Sequence, residues 1–389
     1  MNSLIKKIET TWKRRKEIAY LGYLQLKLNQ SGAEKFIAIY LSLPMHYNFV
    51  KNLISDLQAN QYNVFVFVTD NSLEVFQKIS NKRFTVLNSF ILKHLPFKLV
   101  ITPASGFGKT SYCHEKSYKA HFFHSIVSAH VVYKHQSFMG YDFLFCAGPH
   151  HVEEVKALYQ LNRKPQYLID YGYEITDRLI AASQNKAPET TQTKTVLFGP
   201  SWGVQNSLRK HGVQIIKELL DQKYQVILRP HPISFSLDAN VIDEIKKKFK
   251  KHLNFQLDQS VDSTNSLLSA DVMISDYSGV AFEYALALLK PVIFMNGLRK
   301  QNNKNWQDYL DREGVEVIYR DRIGYILDDM AGLIQKVEQA LREQDVWKDK
   351  IRQVRKELLF NEGNCTQAAI QAIDKIYTEN FETFTTLSH

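Results

Sequence analysis

The chain has 389 residues, of which 44% are hydrophobic and 23% are charged, and its formal net charge is +9. This length is typical of two domains rather than one, and the composition is that of a globular protein with apolar residues for two cores. No stretch approaches the roughly 20 apolar residues of a membrane-spanning helix. The positive charge indicates an anionic partner: a nucleic acid, an acidic membrane or a phosphorylated substrate.

Two features concern the compartment. The three cysteines, Cys113, Cys146 and Cys365, are far apart and match neither a disulfide framework nor a zinc site, which favours a reducing environment. The N-terminus lacks the apolar segment and cleavage site of a secretory signal. Together these features predict a cytoplasmic protein.

Residues 1–30 are predicted as a basic amphipathic helix. Leu4, Ile8 and Trp12 recur at four-residue spacing among clustered lysines and arginines. Tryptophan beside clustered basic residues is typical of a helix that lies on an anionic membrane surface. A helix that packs between domains and exposes a basic face would show the same pattern, and the sequence leaves both interpretations open.

The next part of the chain alternates between short apolar runs and helical patterns. This alternation predicts a parallel sheet flanked by helices, which we assign to a first domain over residues 31–185. Residues 181–195 are rich in Ser, Gln, Asn, Pro and Thr and are predicted as a linker. The predicted strands before the linker are 36–41, 64–68, 98–102, 141–147 and 167–173.

After the linker the alternation restarts, which predicts a second α/β domain over residues 186–389 with helices toward its end. Two such halves place a ligand cleft between them, at the carboxyl ends of the strands. The predicted strands of the second half are 195–198, 224–228, 253–257, 271–274 and 290–295.

Five histidines lie between His114 and His135. Their spacing is not that of a helical metal-binding pair, which disfavours a zinc site. His124 follows an apolar run that would deliver it from a strand to a loop, a position suited to a general base. We interpret His121, His130 and His135 as hydrogen-bonded structural residues, with His121 as the alternative base.

Three loops of the second half each follow a predicted strand: Gly199-Pro-Ser201, Arg229-Pro-His-Pro232 and Ser275-Asp-Tyr-Ser278. In one parallel sheet they would meet at one edge. There they would bring together a cation, an imidazole, hydroxyls and, after Ser278, a helix N-terminus. Such a set binds a diphosphate and stabilises charge on its leaving group. Taken alone, each loop is equally an ordinary strand exit of an α/β core.

These motifs resemble the CDP-glycerol glycerophosphotransferase family, which contains teichoic acid primases and polymerases and related bacterial capsule polymerases. The resemblance depends on three motifs that occur in the family's order: Arg229-Pro-His-Pro232, Ser275-Asp-Tyr-Ser278 and Lys290-Pro-Val-Ile-Phe294. Gly199-Pro-Ser-Trp202 is similar to the family's Ala-Pro-Thr, and Phe123-His-Ser125 to its Trp-His-Gly. Asn361-Glu-Gly-Asn-Cys-Thr366 is similar to its C-terminal segment containing Asp-Gly. The resemblance runs from about residue 121 to about residue 373.

The resemblance implies a GT-B fold, in which two Rossmann-like parallel-sheet domains face each other across a cleft. The C-terminal domain would bind the donor, and His124 would be the catalytic base that takes the acceptor's proton. His231 is implied as the second catalytic residue, at the diphosphate, and Glu283 would lie near the donor's ribose. Neither a metal nor a cofactor is implied, because the helix dipole and basic side chains replace the metal. The other implied donor-binding residues are Pro200, Ser201, Arg229, Ser275, Asp276, Tyr277, Ser278 and Gly279.

Three positions depart from the family pattern. Ser125 stands where glycine is usual, Gly279 where a second serine is usual, and Glu283 where aspartate is commoner. Ser125 lies in the predicted acceptor loop, so that loop departs from the family pattern. Gly279 and Glu283 belong to the predicted donor site and leave a different donor open, since CDP-ribitol or a nucleotide-activated sugar would fit the same loops.

We therefore expect a transferase that moves glycerol phosphate, or a similar polyol phosphate, from CDP-glycerol or a related CDP- or CMP-activated donor. The acceptor would be a hydroxyl of a lipid-linked or polymeric glycan, and CMP would be released. The basic N-terminal segment and the net charge fit the anionic inner face of the cell membrane. No nucleic-acid-binding module is recognisable, so a nucleic acid is not an expected partner.

Two alternatives remain open from the sequence. One is a GT-B glycosyltransferase that uses a CMP-, CDP- or UDP-activated sugar in capsule or surface polysaccharide synthesis. The other is a membrane-associated scaffold on a degenerate transferase fold. The acceptor, the choice between priming and polymerising, and the oligomeric state are not determined by these patterns.

Overall fold

The structure is a computed structural model that describes residues 19–29, 35–69, 72–80, 84–109, 112–159, 166–185, 193–297 and 303–387. Within the expected N-terminal helix, residues 19–29 are helical and are called α1. Leu4, Ile8 and Trp12 lie outside the described residues, so the membrane-facing interpretation of this segment stays a prediction. None of the helices in the described ranges is both long and apolar enough to cross a membrane.

The strands of the described residues form two sheets. In chain order they are β1 (Lys35–Leu41), β2 (Tyr62–Val68), β3 (Thr85–Asn88), β4 (Leu99–Thr102), β5 (Tyr118–Phe122), β6 (Phe143–Cys146), β7 (Gln166–Asp170), β8 (Thr195–Gly199), β9 (Gln225–Leu228), β10 (Phe255–Leu257), β11 (Val272–Ser275), β12 (Val292–Met295), β13 (Gly324–Leu327) and β14 (Thr385–Leu387). The first sheet has the order β14-β7-β6-β5-β4-β1-β2-β3 and the second β10-β9-β8-β11-β12-β13. All of these neighbours pair in parallel except β14, which is antiparallel to β7.

Helices cover both sheets, so the predicted alternation of strands and helices is confirmed. After α1 they are α2 (Lys51–Ala59), α3 (Leu73–Ser80), α4 (Ala129–Val132), α5 (Pro149–Leu158), α6 (Glu174–Gln184), α7 (Ser207–Asp221), α8 (Ser234–Leu237), α9 (Ala239–Phe249), α10 (Thr264–Ser269), α11 (Gly279–Leu288), α12 (Val315–Ile318), α13 (Arg320–Ile323), α14 (Leu333–Arg342), α15 (Gln344–Leu358) and α16 (Cys365–Tyr377). The lysine run that follows residue 245 lies on the exposed side of α9 and just beyond its end.

The central strands are mostly apolar because both faces of each sheet are covered, although β5 also contains Lys119 and His121. In β1, Ile37 and Ile39 belong to one buried core, while Ala38 and Tyr40 belong to the core on the other face. Parallel strands that are buried on both sides read as continuous apolar runs rather than alternating ones. This burial explains why the sequence identified these strands readily.

The end of the chain returns to the first sheet. Helix α16 packs its apolar side, including Ile370 and Ile373, into a core of the first sheet, and β14 forms its edge. The chain passes from the second sheet back to the first at residues 358–360. Here its backbone packs directly against Gly148 and Gly172, and neither position has space for a side chain. A Cβ atom on Gly148 would lie 1.8 Å from the Leu358 carbonyl oxygen, and one on Gly172 2.5 Å from that of Phe360.

The expected second domain, residues 186–389, therefore differs from the structure at its C-terminal end, because residues 365–387 lie with the first sheet. The predicted linker also starts too early. Helix α6 continues to Gln184, and residues 186–192 lie outside the described part of the chain.

Candidate active site

The carboxyl ends of the two sheets face a shared cleft of about 500 Å³. Three loops of the second sheet line it, through residues 200–202, 229–233 and 277–280. We call these loops the donor wall. The facing residues of the first sheet, 43–49 and 124–133, supply the acceptor wall. The three loops thus meet at one edge of the second sheet, as expected from the sequence.

Ser275 and Asp276 hold the donor wall together from behind and do not line the cleft. The buried carboxylate of Asp276 accepts hydrogen bonds from the backbone N–H of Ser201 (2.7 Å) and from the N–H and hydroxyl of Ser207 (2.9 and 2.7 Å). The hydroxyl of Ser275 donates to the Gly199 carbonyl oxygen at 2.6 Å. The sequence predicted that these two residues contact the donor substrate. In the structure their hydrogen bonds instead join the loop after β11 to the loop after β8.

Helix α11 begins in the donor wall and points its first turn at the cleft. Ser278 occupies the expected N-cap position, but its side chain makes no capping hydrogen bond. Within the described residues, no group accepts a hydrogen bond from the backbone N–H of Gly279 or Val280. Unpaired N–H groups and the positive end of the helix dipole attract a phosphate. This helix end is therefore the part of the donor wall best suited to bind an anion.

The loop after β9 places Arg229 and His231 in different environments. The guanidinium of Arg229 donates to the carboxylate of Asp258 and to the hydroxyl and carbonyl oxygens of Ser260 (3.1 and 3.0 Å). Burial raises the pKa of Asp258, but serine hydrogen bonds and the Arg229 charge outweigh it, and the net shift is downward. His231 Nδ1 accepts a hydrogen bond from the Ile233 N–H at 3.3 Å, so a neutral ring carries its proton on Nε2.

His124 lies on the acceptor wall with one ring nitrogen fixed by the backbone. Its Nδ1 lies 2.7 Å from the Pro103 carbonyl oxygen and donates to it. The neutral ring then has its lone pair on Nε2, which is 3.2 Å from the Tyr133 hydroxyl. An orienting bond on one nitrogen and a lone pair on the other are what a general base requires. The alternative base, His121, is fully buried among aromatic rings and does not line the cleft.

His46 is a cleft residue that the sequence reasoning missed. It lies in the 3₁₀ turn Pro44–Phe49, with its ring centroid 5.7 Å from that of His124. Burial, with a smaller effect of His124, lowers the pKa of His46 to about 3. This imidazole is therefore neutral at physiological pH and adds no charge beside the base. A single histidine in a short turn carried no sequence signal for this position.

Glu283 and Tyr173 connect the two walls. The buried carboxyl of Glu283 on α11 lies 2.7 Å from the Tyr173 hydroxyl, which is also 3.2 Å from the backbone oxygen of His124. Burial raises the pKa of Glu283, although the Tyr173 hydrogen bond opposes this shift. Glu283 lines the cleft, as the ribose assignment requires. Tyr173 was not identified from the sequence because it follows a strand without any motif.

Ser125 and Gly279, two of the three departures from the family pattern, lie opposite each other across the cleft. A Cβ atom on Gly279 would be 2.9 Å from the Ser125 hydroxyl oxygen. This distance is shorter than side-chain carbons normally keep from an oxygen, so a side chain at position 279 would require the Ser125 hydroxyl to move.

Glu316 makes a second junction between the walls that the sequence did not reveal. Its carboxylate accepts a hydrogen bond from the Ser128 N–H at 3.0 Å, and the Ser128 hydroxyl accepts one from the Val315 N–H at 2.8 Å. Burial raises the pKa of Glu316 to about 7. Near this junction His130 also has a structural partner, because its Nε2 contacts the Arg312 carbonyl oxygen at 2.8 Å.

No group of three His, Cys, Asp or Glu side chains suited to a metal ion occurs among the residues that the structure describes. Of the histidines singled out in the sequence, His121 and His130 lie in the interior and His124 lies at the cleft. His135 is the first residue of a 3₁₀ turn, His135–Phe138.

Comparisons with known proteins identify the family of the chain. A model of the CDP-Glycerol:Poly(glycerophosphate) glycerophosphotransferase family matches residues 124–375, more than half of the chain. A teichoic acid glycerol-phosphate primase of Bacillus subtilis (strain 168) is 27% identical over 139 residues, which are 34% of this chain and 34% of that protein. The chain therefore matches only about a third of the length of this curated relative.

Solved structures establish the fold. The wall teichoic acid polymerase TagF has a TM-score of 0.59 at 16% identity, over 97% of this chain and 99% of that chain. A TagF variant soaked with CDPG gives 0.58 at 16% identity over the same shares. The two Rossmann-like domains facing a cleft are the expected GT-B fold. With a family model that spans more than half of its residues, the chain belongs to the CDP-glycerol:poly(glycerophosphate) glycerophosphotransferase family.

Proposed function

We propose that this protein transfers glycerol phosphate from CDP-glycerol to a hydroxyl group of an acceptor and releases CMP. The acceptor oxygen forms a bond to the β-phosphorus of the donor. The bond from that phosphorus to the oxygen bridging the two phosphates breaks, and CMP leaves with the electron pair. The acceptor's proton passes to a base. The family to which the chain belongs, and the CDPG with which a similar TagF variant was soaked, support this donor.

One observation carries the proposal. The N-terminus of α11 and the Nε2–H side of His231 lie on one wall of a cleft whose opposite wall presents His124 Nε2. The first two groups suit the negative oxygens of a diphosphate, and the third suits a hydroxyl proton. A phosphoryl transfer needs these groups on opposite sides of the phosphorus, because attacking and leaving oxygens are roughly in line.

On the donor wall, the N–H groups at the start of α11 would hold the phosphate that is transferred. His231 would donate from Nε2 to the phosphate that leaves, and so stabilise its growing charge. Arg229 is held by Asp258 and contributes a positive field rather than a mobile contact. Glu283, at the junction of the walls, would accept a hydrogen bond from a ribose hydroxyl.

On the acceptor wall, His124 would take the proton of the attacking hydroxyl. We further propose that the acceptor is a lipid-linked or polymeric glycan reached at the inner face of the cell membrane. The net charge of +9 and the exposed lysines Lys246, Lys247 and Lys248 of α9 favour an anionic membrane surface and a polyanionic product.

The test is a product analysis with the full chain. CDP-glycerol, CDP-ribitol and UDP-N-acetylglucosamine are each incubated with a synthetic lipid-linked glycan that carries one glycerol phosphate. We expect CMP release and a mass gain of one glycerol phosphate unit, with CDP-glycerol as the preferred donor. Transfer from a nucleotide sugar alone would favour the glycosyltransferase, and turnover of no donor would favour the scaffold.

His252→Ala is the matched control for variants of the two cleft histidines. His252 is exposed, lies outside the cleft, and accepts a hydrogen bond on Nδ1 from the Asn254 N–H at 3.2 Å, as His231 does from Ile233. We expect His252→Ala to keep wild-type turnover. Loss of turnover in this variant would show that histidine replacement alone disturbs the fold.

A further inference from the structure

The first turn of α11 is the part of the donor wall best suited to bind an anion, yet it is not built from the donor wall alone. The atom that occupies the space beside Gly279 is the hydroxyl oxygen of Ser125, which belongs to the acceptor wall. It lies 2.9 Å from where a Cβ on Gly279 would be, and Val127 approaches the same point at 3.8 Å. The Ser125 hydroxyl thus lies in the space into which a side chain on Gly279 would extend.

The hydroxyl of Ser125 has a hydrogen to donate. Its oxygen accepts a hydrogen bond from the Val127 N–H at 3.3 Å. Among the described residues, its own O–H group has no hydrogen-bond acceptor. A serine hydroxyl has one donor and two acceptor positions, so the donor stays available to a ligand. Ser125 is partly exposed and lines the cleft.

We propose that Ser125 binds the transferred phosphate of the donor together with the N–H groups of Gly279 and Val280. The acceptor domain would then complete the phosphate site of the donor domain. The phosphate would then accept hydrogen bonds from two backbone N–H groups and one hydroxyl. Three such bonds stabilise its charge better than the helix end alone. Full donor affinity would require the two walls to be in contact as they are here. This inference rests on the proposed function, since it names a binding residue for the same donor.

Position 279 provides a way to separate the hydroxyl from its steric effect. With Ser125 present, an alanine at position 279 would place its Cβ too close to the serine oxygen. With glycine at position 125 that space is free. A serine introduced at position 279 would then carry a hydroxyl one bond beyond its Cβ, into the vacated space.

The experiment measures the KM for CDP-glycerol and the binding of CDP-glycerol by calorimetry. The variants are Ser125→Ala, Ser125→Gly, Gly279→Ala, and the double variants Ser125→Gly/Gly279→Ala and Ser125→Gly/Gly279→Ser. We expect Ser125→Ala and Ser125→Gly to raise the KM and the Kd about tenfold, as for the loss of one hydrogen bond to a charged group. Gly279→Ala alone should raise both values by at least as much, because the Ser125 side chain must turn its hydroxyl away from the new Cβ.

The double variants decide between the two explanations. We expect Ser125→Gly/Gly279→Ala to behave like Ser125→Gly, because the steric conflict is relieved but the hydroxyl is missing. Ser125→Gly/Gly279→Ser should return to within about threefold of the wild-type KM, because the hydroxyl is restored from the other wall. If both double variants bind the donor equally, or if Ser125→Ala leaves KM and Kd unchanged, the inference is wrong.

Two controls complete the experiment. Ser269→Ala removes an exposed hydroxyl outside the cleft, which donates to the Asn265 carbonyl oxygen at 2.7 Å, and should not change donor binding. The wild-type protein tests the proposed function separately. If it neither binds nor uses CDP-glycerol, the proposed function fails, whereas wild-type binding with unaffected Ser125 variants contradicts only this inference.

Discussion

The two walls of the cleft are prepared for their tasks by different means. In the donor wall, buried carboxylates hold the loops from behind: Asp276 binds the loop after β8, and Asp258 binds Arg229. In the acceptor wall, burial keeps His46 neutral beside His124, and the ring of Phe49 packs against His124. A phosphate is bound best by hydrogen-bond donors whose positions are fixed before it binds. A general base is best placed where no neighbouring positive charge lowers its pKa. The residues that prepare each wall are mostly not those that would touch the substrate.

The largest expected effect is on the acceptor wall. His124→Ala should lower kcat by a factor on the order of 10³, because a positioned general base is lost. Donor affinity should change little, since the donor wall is intact. Turnover at saturating donor and calorimetry with CDP-glycerol measure the two quantities. A loss of donor affinity as large as the loss of kcat would contradict the separation of the walls.

His231→Ala tests the donor wall in the same assay. We expect kcat to fall by a factor of about 10² to 10³, because a preorganised donor to the leaving phosphate is removed. In contrast to His124→Ala, the variant should also bind CDP-glycerol more weakly. With His252→Ala unchanged, wild-type donor affinity in His231→Ala would remove His231 from the donor site.

Asp276→Ala tests whether the donor wall is held from behind. The change leaves three buried hydrogen-bond donors of Ser201 and Ser207 without their acceptor. We expect the free energy of unfolding to fall by about 3 kcal/mol and the KM for the donor to rise. Chemical denaturation measures the first effect. Asp221→Ala, which removes the exposed partner of Lys217, is the control and should leave the free energy of unfolding nearly unchanged.

The junction of the walls should make stability depend on pH. The pKa of Glu316 is about 7 in the folded protein, above its ordinary value of 4.5. Between these values Glu316 holds a proton in the folded state that it releases in the unfolded chain, so the contribution of this residue to the free energy of unfolding falls as pH rises from about 4.5 to about 7. Glu316→Gln should reduce that fall by on the order of 2 kcal/mol. Denaturation curves across this range measure it, and an unchanged slope would contradict the assignment.

The smallest expected effect concerns Tyr173, whose hydroxyl contacts both walls. Tyr173→Phe should raise the KM for CDP-glycerol about threefold to tenfold, because Glu283 loses a hydrogen bond of about 1 kcal/mol. Tyr62→Phe is the matched control, since the Tyr62 hydroxyl also binds a carboxylate, Asp374 at 2.7 Å, but lies outside the cleft. Equal effects of the two variants would show that Tyr173 has only a structural role.

The sequence predicted ten of the fourteen described strands and the meeting of the three loops, but it missed β3, β5, β13 and β14. The predicted strands are mainly apolar runs, whereas β5 carries Lys119 and His121, and the end of the chain was predicted as helical. Buried parallel strands are apolar runs, and the carboxyl ends of parallel strands meet at one edge.

The sequence predicted less well which side chains of those loops face the ligand. Ser275, Asp276, Tyr277 and Ser278 follow one another after a single apolar run, and nothing in that run shows which of them face the cleft. In the structure Ser275 is bound to Gly199 and Asp276 to Ser201 and Ser207, contacts with distant segments.

Contacts between distant segments were beyond the sequence. Tyr173, Glu316 and His46 lie in segments without a motif, and their roles arise from the approach of the two walls. The return of the chain to the first sheet was missed for a related reason. The apolar spacing of Ile370 and Ile373 predicts a helix with a buried face, but not the sheet that buries it.

That return has a consequence for how the protein acquires its structure. The first domain includes α16 and β14, which are the last described elements to leave the ribosome. Residues 35–185 alone would therefore leave uncovered the side of the first sheet on which α16 packs. A protein divided after α6 would yield an acceptor half with this apolar side open. The first sheet is thus completed only after the whole of the second sheet and its loops have been made.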